Sequence, residues 1–270
     1  TLADRDGYAI TNLENGSTTD ATAIEKRFGG WYVTGTHGKT GHSGNVIAPK
    51  LYSEVADKEL YLKEINLNAE SARTDLNGKV STTRYIARYS DIVALMVLVH
   101  QTSVHNLITI VHNEAIKAQA EQLVISRYRG DTTNAEPLEN SNAKFQFAVE
   151  HLVRAMLFTD EATFNGPIHE STSFTKDFVQ PGPRDNAGRS LRDFDLEHRL
   201  FKFPLSFLIY SEGFSSLPEA ARNAVYRRLH AILGGADNNP DFAKLTSSDR
   251  QAISEILAAT KVEYVKFSVN

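Results

Sequence analysis

Histidine is the residue type in this sequence that is best suited to chemistry, and four of the nine histidines fall into two close pairs. His37 and His42 lie in a glycine-rich stretch, whereas His100 and His105 lie on a long predicted helix, on which His112 follows. Neutral imidazole is a common ligand of metal ions and of haem iron. The pattern therefore predicts that His37, His42, His100 and His105 bind a metal ion or a haem cofactor.

Helical geometry limits how the later histidines can act together. At about 100° per residue, His100 and His105 point about 140° apart and do not readily share one metal. His105 and His112 share a face but are roughly 10 Å apart along the helix axis. We therefore expect each to face a different neighbour, with His37 or His42 completing a site from the loop. The alternative for each histidine is a hydrogen-bonded residue of the core.

Composition excludes several kinds of site and partner. The chain has no cysteine, which excludes disulfides, thiolate metal sites and a Cys-x-x-Cys-His haem attachment within it. A net charge of −4 without a long basic run gives no electrostatic footprint for nucleic acid. The apolar run from Ile92 to Val99 is shorter than the roughly 18 residues of a membrane-spanning helix. We expect neither a nucleic-acid partner nor a transmembrane segment.

Further candidates lie in residues 160–203, where prolines and glycines break any periodicity. Such a long irregular stretch is usually functional or wraps around something. Asp195 belongs to a charged cluster with acid–base potential, although a solvated face or a helix start gives the same pattern. Four arginines of this region can clamp carboxylates such as haem propionates, or fix the loop through ion pairs, which is the interpretation we favour. They are Arg184, Arg189, Arg192 and Arg199.

Apolar periodicity and capping residues predict a mainly α-helical fold with long irregular loops. The strongest helix begins at Ser90-Asp91, which is a good N-cap pair, and ends near Tyr128, before Gly130. The β-formers of residues 31–36 predict one short extended segment. We expect a single domain over residues 1–270, with a possible loop-rich part at 1–80 and a helical part at 81–270. The other predicted helices are Ala21 to Phe28, Ala143 to Phe158, Leu205 to Phe214, a helix opened by a capping box at Ser216 to Glu219 and ending at Leu233, and Ser247 to Thr260.

Long motifs spread over nearly the whole chain give it a family resemblance. They are RFGGWYVTGTHG at residues 27–38, His42-x-Gly44-Asn45, SDIVALMVL at 90–98, HQT at 100–102, HN at 105–106, GPRD at 182–185, GRSL at 188–191, FPLS at 203–206 and LIYSE at 208–212. With these motifs the chain resembles a family of bacterial proteins described only as cytochrome c domain proteins.

The resemblance implies export, redox chemistry and proximity to haem. Relatives look like exported proteins in which a Cys-x-x-Cys-His segment lies upstream of the Gly-Gly-Trp-Tyr motif and attaches haem covalently. His37, His42, His100 and His105 are the histidines that match the family's motifs. One departure is Val99, because an acidic residue is expected before the helix histidine, where its carboxylate would orient the imidazole or bind a metal.

These observations lead to three hypotheses about function, and they leave open whether the protein is an enzyme. The first is a periplasmic or otherwise exported electron-transfer protein whose histidines are haem-iron or metal ligands or neighbouring donors. Its c-type haem would be attached outside this chain segment, on a haem-bearing domain or partner cytochrome, and the chain could be a homo-oligomer or a complex subunit. The second is a peroxidase-like haem- or metal-dependent oxidoreductase with His42 or Asp195 as the acid–base partner. The third is a structural or interaction domain without a cofactor.

Overall fold

The computed structural model describes residues 2–8, 17–39, 41–66, 73–130, 142–237 and 239–267. Helices predominate, which confirms the mainly α-helical class. The helices are α1 (Lys58–Glu64), α2 (Ile92–Arg129), α3 (Ala143–Met156), α4 (Phe174–Val179), α5 (Glu212–Ser215), α6 (Glu219–Leu233), α7 (Ser247–Thr260) and α8 (Val262–Val265). Short 3₁₀ helices occupy Ile24–Lys26, Tyr52–Glu54, Phe207–Tyr210 and Pro240–Phe242. The strands are β1 (Ala3–Asp4), β2 (Thr36–His37), β3 (Ile47–Ala48) and β4 (Ile168–His169).

The chain forms two compact units built from interleaved segments. The first comprises Thr1–His100, Glu161–Pro181 and Phe194–Leu200, and the second comprises Gln101–Asp160, Gly182–Asp193 and Phe201–Asn270. Helix α2 contributes its first nine residues, up to His100, to the first unit, and its remaining residues belong to the second. The first unit therefore takes in more of the chain than the loop-rich part expected for residues 1–80.

Helix α2 begins and ends where the sequence predicts. The Asp91 carboxylate accepts hydrogen bonds from the backbone N–H groups of Val93 and Ala94, at 2.9 and 3.2 Å, and so caps the first turn. Gly130 follows the last helical residue with a φ of 67°, which glycine adopts without strain. Five apolar side chains at alternating spacings of four and three residues form the buried stripe of its middle part: Val104, Ile108, Val111, Ala115 and Ala118.

In the first unit, β1 pairs with β3 in parallel and β2 pairs with β4 in antiparallel orientation. The predicted extended segment near residues 31–36 is present but lies slightly later along the chain. It begins with an isolated bridge between Thr34 and Asp91 and continues into β2, where His37 lies opposite Ile168. The segment thus runs along the first turn of α2, and this contact places His37.

The second unit has its core among α3, α6 and α7. Helix α3 is amphipathic and is capped by Asn142, whose side chain accepts the N–H groups of Lys144 and Phe145. Its buried stripe packs against α6, which also contacts α7. The stripe consists of Phe145, Ala148, Val149, Leu152, Val153 and Met156.

Three local predictions differ from the structure because of capping and turn chemistry. The capping box expected at Ser216 to Glu219 is absent, since Pro218 is the N-cap residue of α6 and no side chain caps that helix. A capping box instead opens α7, where Thr246 and Asp249 bond each other's backbone N–H groups. The helix expected over Leu205 to Phe214 divides into a 3₁₀ helix and α5, because two serines cap separate turns. The helix expected over Ala21 to Phe28 is a single 3₁₀ turn.

Helix α2 is long and apolar enough, by length and composition, to cross a membrane. Of its most apolar stretch, 44% is buried inside the protein, and core helices of soluble proteins meet the same criterion. The expectation that the chain has no transmembrane segment stays a prediction.

Replacing Asp91 by alanine tests the importance of its carboxylate for the first unit. The variant loses the cap of α2 and leaves buried donors unpaired, so we expect a loss of about 2–4 kcal/mol in the free energy of unfolding. Urea unfolding followed by circular dichroism measures this loss. The control is Asn142→Ala, which removes a helix cap and one exposed hydrogen bond to Glu121 and should cost about 1 kcal/mol. An equal loss in the two variants would show that Asp91 does no more than cap its helix.

Candidate functional site

The first unit brings together two of the four predicted histidines. His37 on β2 and His42 on the following loop have ring centroids 4.8 Å apart and ring planes inclined by 68°. Both side chains are buried, with 5% of His37 and 0% of His42 exposed. Phe28 closes one side of the pair, with its ring 5.7 Å from that of His42 in an edge-on arrangement. We call His37 and His42 the histidine pair.

Two glycines allow β2 to carry His37 into this position. A Cβ atom on Gly35, which has a φ of +120°, would lie 2.6 Å from the Cγ2 atom of Ile92 and 2.7 Å from the carbonyl oxygen of His169. Gly38 has a φ of +62°, and its Cβ atom would lie 3.0 Å from the backbone of Gly166. Only glycine fits such positions, because any side chain would clash and strain the backbone. The Gly-Thr-His-Gly motif is therefore required for packing around His37.

His37 is exceptional among the buried polar side chains. Neither of its ring nitrogens has a hydrogen-bond partner among the residues that the structure describes. A neutral imidazole carries one donor and one acceptor, and leaving either unpaired in a buried place costs free energy. Buried polar atoms without partners are rare in proteins and often mark a site for a ligand or an ion. His37 is therefore available to bind a metal through either nitrogen.

His42 differs from His37 because one of its ring nitrogens accepts a hydrogen bond. Its Nδ1 atom accepts a hydrogen bond from the backbone N–H of Gly44 at 3.0 Å, and this bond assigns the ring proton to Nε2 in the neutral form. Histidines that bind metals donate their other ring N–H instead of accepting there. The structure therefore presents His42 as a proton donor beside His37.

The spacing of the histidine pair discriminates between kinds of metal centre. With metal–nitrogen bonds of about 2 Å, ring centroids on opposite sides of one iron lie about 6 Å apart, and those of neighbouring ligands on a tetrahedral ion lie about 5 Å apart. The observed separation is 4.8 Å. The separation is therefore too short for two histidines on opposite sides of one metal ion and is close to that of neighbouring ligands.

His100 is fully buried and bonded to a carboxylate that the sequence pattern does not predict. Its Nδ1 atom lies 2.6 Å from Oδ2 of Asp20, which is 80 residues earlier in the chain. This is the orienting interaction that was expected from an acidic residue at the position of Val99. A carboxylate therefore does orient His100, but it comes from a loop and not from the same helix.

His105 does not join the other three predicted residues in the first unit. It lies on the part of α2 that belongs to the second unit, and its side chain is exposed, as is that of His112. The burial of His100 and the exposure of His105 confirm the prediction that they face different sides of the helix.

Asp20 is also the centre of a second polar group, which we call the Asp20 cluster and which comprises Asp20, Arg27, His100 and Glu161. The backbone carbonyl of Asp20 accepts the N–H of Ala162 at 2.9 Å and Nη2 of Arg27 at 2.6 Å. Arg27 is 1% exposed, and burial lowers its pKa below the ordinary value, although the nearby carboxylates oppose the shift. The cluster therefore combines a buried cation with two carboxyl groups and an imidazole.

Glu161 titrates near neutrality in this setting. Burial raises its pKa to about 7, and the negative charge of Asp20 acts in the same direction. The backbone N–H of Leu200, which donates to Oε1 at 2.9 Å, and the charges of Arg27 and Arg199 act against the shift. The protonated and ionised forms of Glu161 are therefore both populated around pH 7.

The charged residues of the irregular stretch maintain its conformation. Arg184 pairs with Asp193 at 3.2 Å, and Arg189 pairs with Asp185 and Glu255, which confirms the predicted ion pairs for these two arginines. Arg199 lies 3.9 Å from Asp195, and Arg192 lies over the ring of Phe207. Burial disfavours the charge of Asp195, but hydrogen bonds from the backbone N–H groups of His198 and Glu197 outweigh it and lower the pKa. An aspartate that stays ionised and accepts two turn N–H groups is suited to holding a turn, and less suited to exchanging protons at neutral pH.

Comparisons with known proteins leave the chain without an assigned family. No family model, no curated protein and no solved structure matches it. Among the described residues, no group of three or more histidine, aspartate or glutamate side chains is placed to hold a metal ion.

The raised pKa of Glu161 predicts how stability depends on pH. In the unfolded chain Glu161 ionises near its ordinary pKa, whereas the folded protein keeps the proton up to about pH 7. The folded state therefore binds more protons in this interval, so the contribution of Glu161 to stability is lost as pH rises from about 4.5 to about 7.

Glu161→Gln should remove this contribution, because an uncharged amide replaces the carboxyl group. We expect the variant to lose less stability than the wild type between about pH 5 and about pH 8, measured by urea unfolding. Glu170→Gln is the control, since within the described part of the chain the Glu170 carboxylate accepts its hydrogen bonds from Thr175, five residues later. Parallel pH profiles for wild type and Glu161→Gln would contradict the prediction.

Proposed function

We propose that this protein is an exported, haem-associated redox protein in which His37 supplies a nitrogen ligand to a haem iron. The observation that carries the proposal is the absence of hydrogen-bond partners on both ring nitrogens of the buried His37, among the residues described. His37 would hold such a haem through one ring nitrogen, and the haem would supply one-electron redox chemistry. The family resemblance supports the same cofactor, attached to a haem-bearing domain or to a partner cytochrome.

The neighbouring residues have distinct parts in this proposal. The haem supplies an iron that changes its oxidation state, and the protein supplies the ligand and its surroundings. His42, with its proton on Nε2, is a donor beside the ligand, and Phe28 keeps water from that side of the pair. A buried, largely apolar surrounding is one of the features by which proteins tune the reduction potential of iron.

A small metal ion without haem is the second candidate occupant. The 4.8 Å between the two ring centroids fits neighbouring ligands of one tetrahedral ion. In that case His42 would bind through Nε2, and its Nδ1 atom would have to give up the bond from Gly44 and carry the proton. This candidate corresponds to the hypothesis of a non-haem metal oxidoreductase.

Titration of the purified protein with haemin tests the first proposal. We expect a Soret band typical of histidine-bound iron in the wild type and a loss of that band, or at least a tenfold weaker binding, in His37→Ala, roughly the effect of removing a metal ligand. The control is His112→Ala, which removes an exposed histidine of α2 and should leave binding unchanged.

Two results would overturn the haem proposal. One is a wild-type protein that does not bind haemin, and the other is a His37→Ala variant with an unchanged Soret band. Titration with Co²⁺ under the same conditions distinguishes the second candidate, because tetrahedral d–d absorption that needs both His37 and His42 would identify a small-ion site.

A further inference from the structure

The Asp20 cluster joins four separate segments of the first unit through a few hydrogen bonds. The Asp20 carboxylate holds His100 of α2 at 2.6 Å, and its backbone carbonyl holds the N–H of Ala162 at 2.9 Å. Glu161, next to Ala162, accepts the N–H of Leu200 at 2.9 Å. The loop around Asp20, the first part of α2, and the segments at 161–162 and 200 are therefore fastened at this one place.

The same cluster holds the backbone next to Phe28, whose ring forms one wall of the histidine pair. Arg27 donates from Nε to the carbonyl of Thr22 at 2.7 Å and from Nη2 to the carbonyl of Asp20 at 2.6 Å. Its own carbonyl accepts the N–H of Ser43, which is adjacent to His42. The next residue, Phe28, packs on the ring of His42.

The conformation of Phe28 depends on this fastening. Its φ is +66°, a left-handed conformation that a bulky residue adopts only when its surroundings hold it there. The bonds of Arg27 on one side and the packing of Phe28 on His42 on the other provide those surroundings. Loosening the loop around Asp20 would let the backbone at Phe28 relax and uncover the histidine pair.

We propose that the Asp20 cluster is a proton-operated latch over the histidine pair, closed when Glu161 carries a proton and weakened when Glu161 is ionised. The part of this proposal that concerns access to His37 rests on the proposed function. The latch itself depends only on residues of this chain. The proton comes from and returns to solvent, and no other reactant takes part.

Electrostatics explains why loss of the proton weakens the latch. The charged and titratable groups that act on Glu161 are Asp20 and, with opposite sign, Arg27 and Arg199, while His100 acts through its bond to Asp20. A neutral Glu161 accepts the N–H of Leu200 without repelling Asp20. An ionised Glu161 is a second negative charge beside Asp20 in a place with little water, where like charges repel strongly.

Hydrogen–deuterium exchange of the amides of Ala162 and Leu200 tests the latch on the full chain without a cofactor. After correction for the intrinsic rate, we expect their protection to fall by up to about tenfold per pH unit between about pH 5 and about pH 7, where the closed state keeps the proton of Glu161 and the loosened state releases it, and to level off above about pH 7. In Glu161→Gln the protection should stay at the level found at low pH. Glu170→Gln should behave as the wild type.

A protection of Ala162 and Leu200 that does not change with pH in the wild type would overturn the latch, as would the same change in Glu161→Gln. The outcome is separable from that of the haem proposal. If exchange follows pH while haemin does not bind, the latch stands and the haem proposal fails. If haemin binds to His37 but exchange is independent of pH, the haem proposal stands and the latch fails.

Discussion

The Asp91 carboxylate accepts hydrogen bonds from five donors among the described residues. Only 6% of the surface of Asp91 is exposed. One oxygen caps α2, and the other accepts the N–H and hydroxyl of Ser171 and the hydroxyl of Thr172. The segment that leads into β2 is attached at the same place, because the N–H of Ile92 donates to the carbonyl of Thr34 at 2.8 Å. The Asp91 carboxylate thus caps the helix that carries His100 and anchors the segment after β4, which is the partner strand of the β2 that carries His37.

The first unit contains two carboxyl groups, of Asp91 and Glu161, whose surroundings give them different roles. Asp91 is surrounded by neutral N–H and O–H donors that satisfy its oxygens, as expected of an anion at a helix N-terminus. Glu161 receives one backbone N–H and lies near a second carboxylate, and burial disfavours its charge. The first arrangement is suited to holding structure, whereas the second makes the charge state sensitive to pH near neutrality.

The sequence predicts those parts of the structure that depend on local chemistry. The start and end of α2 follow from Asp91 and Gly130, and the amphipathic α3 follows from its apolar spacing. The histidine pair is also local, since His37 and His42 lie close in sequence around glycines. Asp20 and Glu161 could not be recognised, because no periodicity or motif marks them and their partners are distant in the chain. Apolar spacing does not predict the division of the helix at 207–215, because two serines there each cap a turn of their own.

The burial of His37 makes access to it inseparable from the conformation of the first unit. His37 is 5% exposed and Phe28 packs on the neighbouring His42, so the proposed haem ligation would require Phe28 to move. If an ionised Glu161 favours the loosened wall, haem and the proton on Glu161 compete for opposite states of the same cluster. Thermodynamic linkage then makes the coupling reciprocal: protonation weakens haem binding by the same factor by which bound haem weakens proton binding at Glu161. The size of this coupling factor is limited by the free-energy difference between the closed and loosened states. That difference comes from the few hydrogen bonds of the Asp20 cluster.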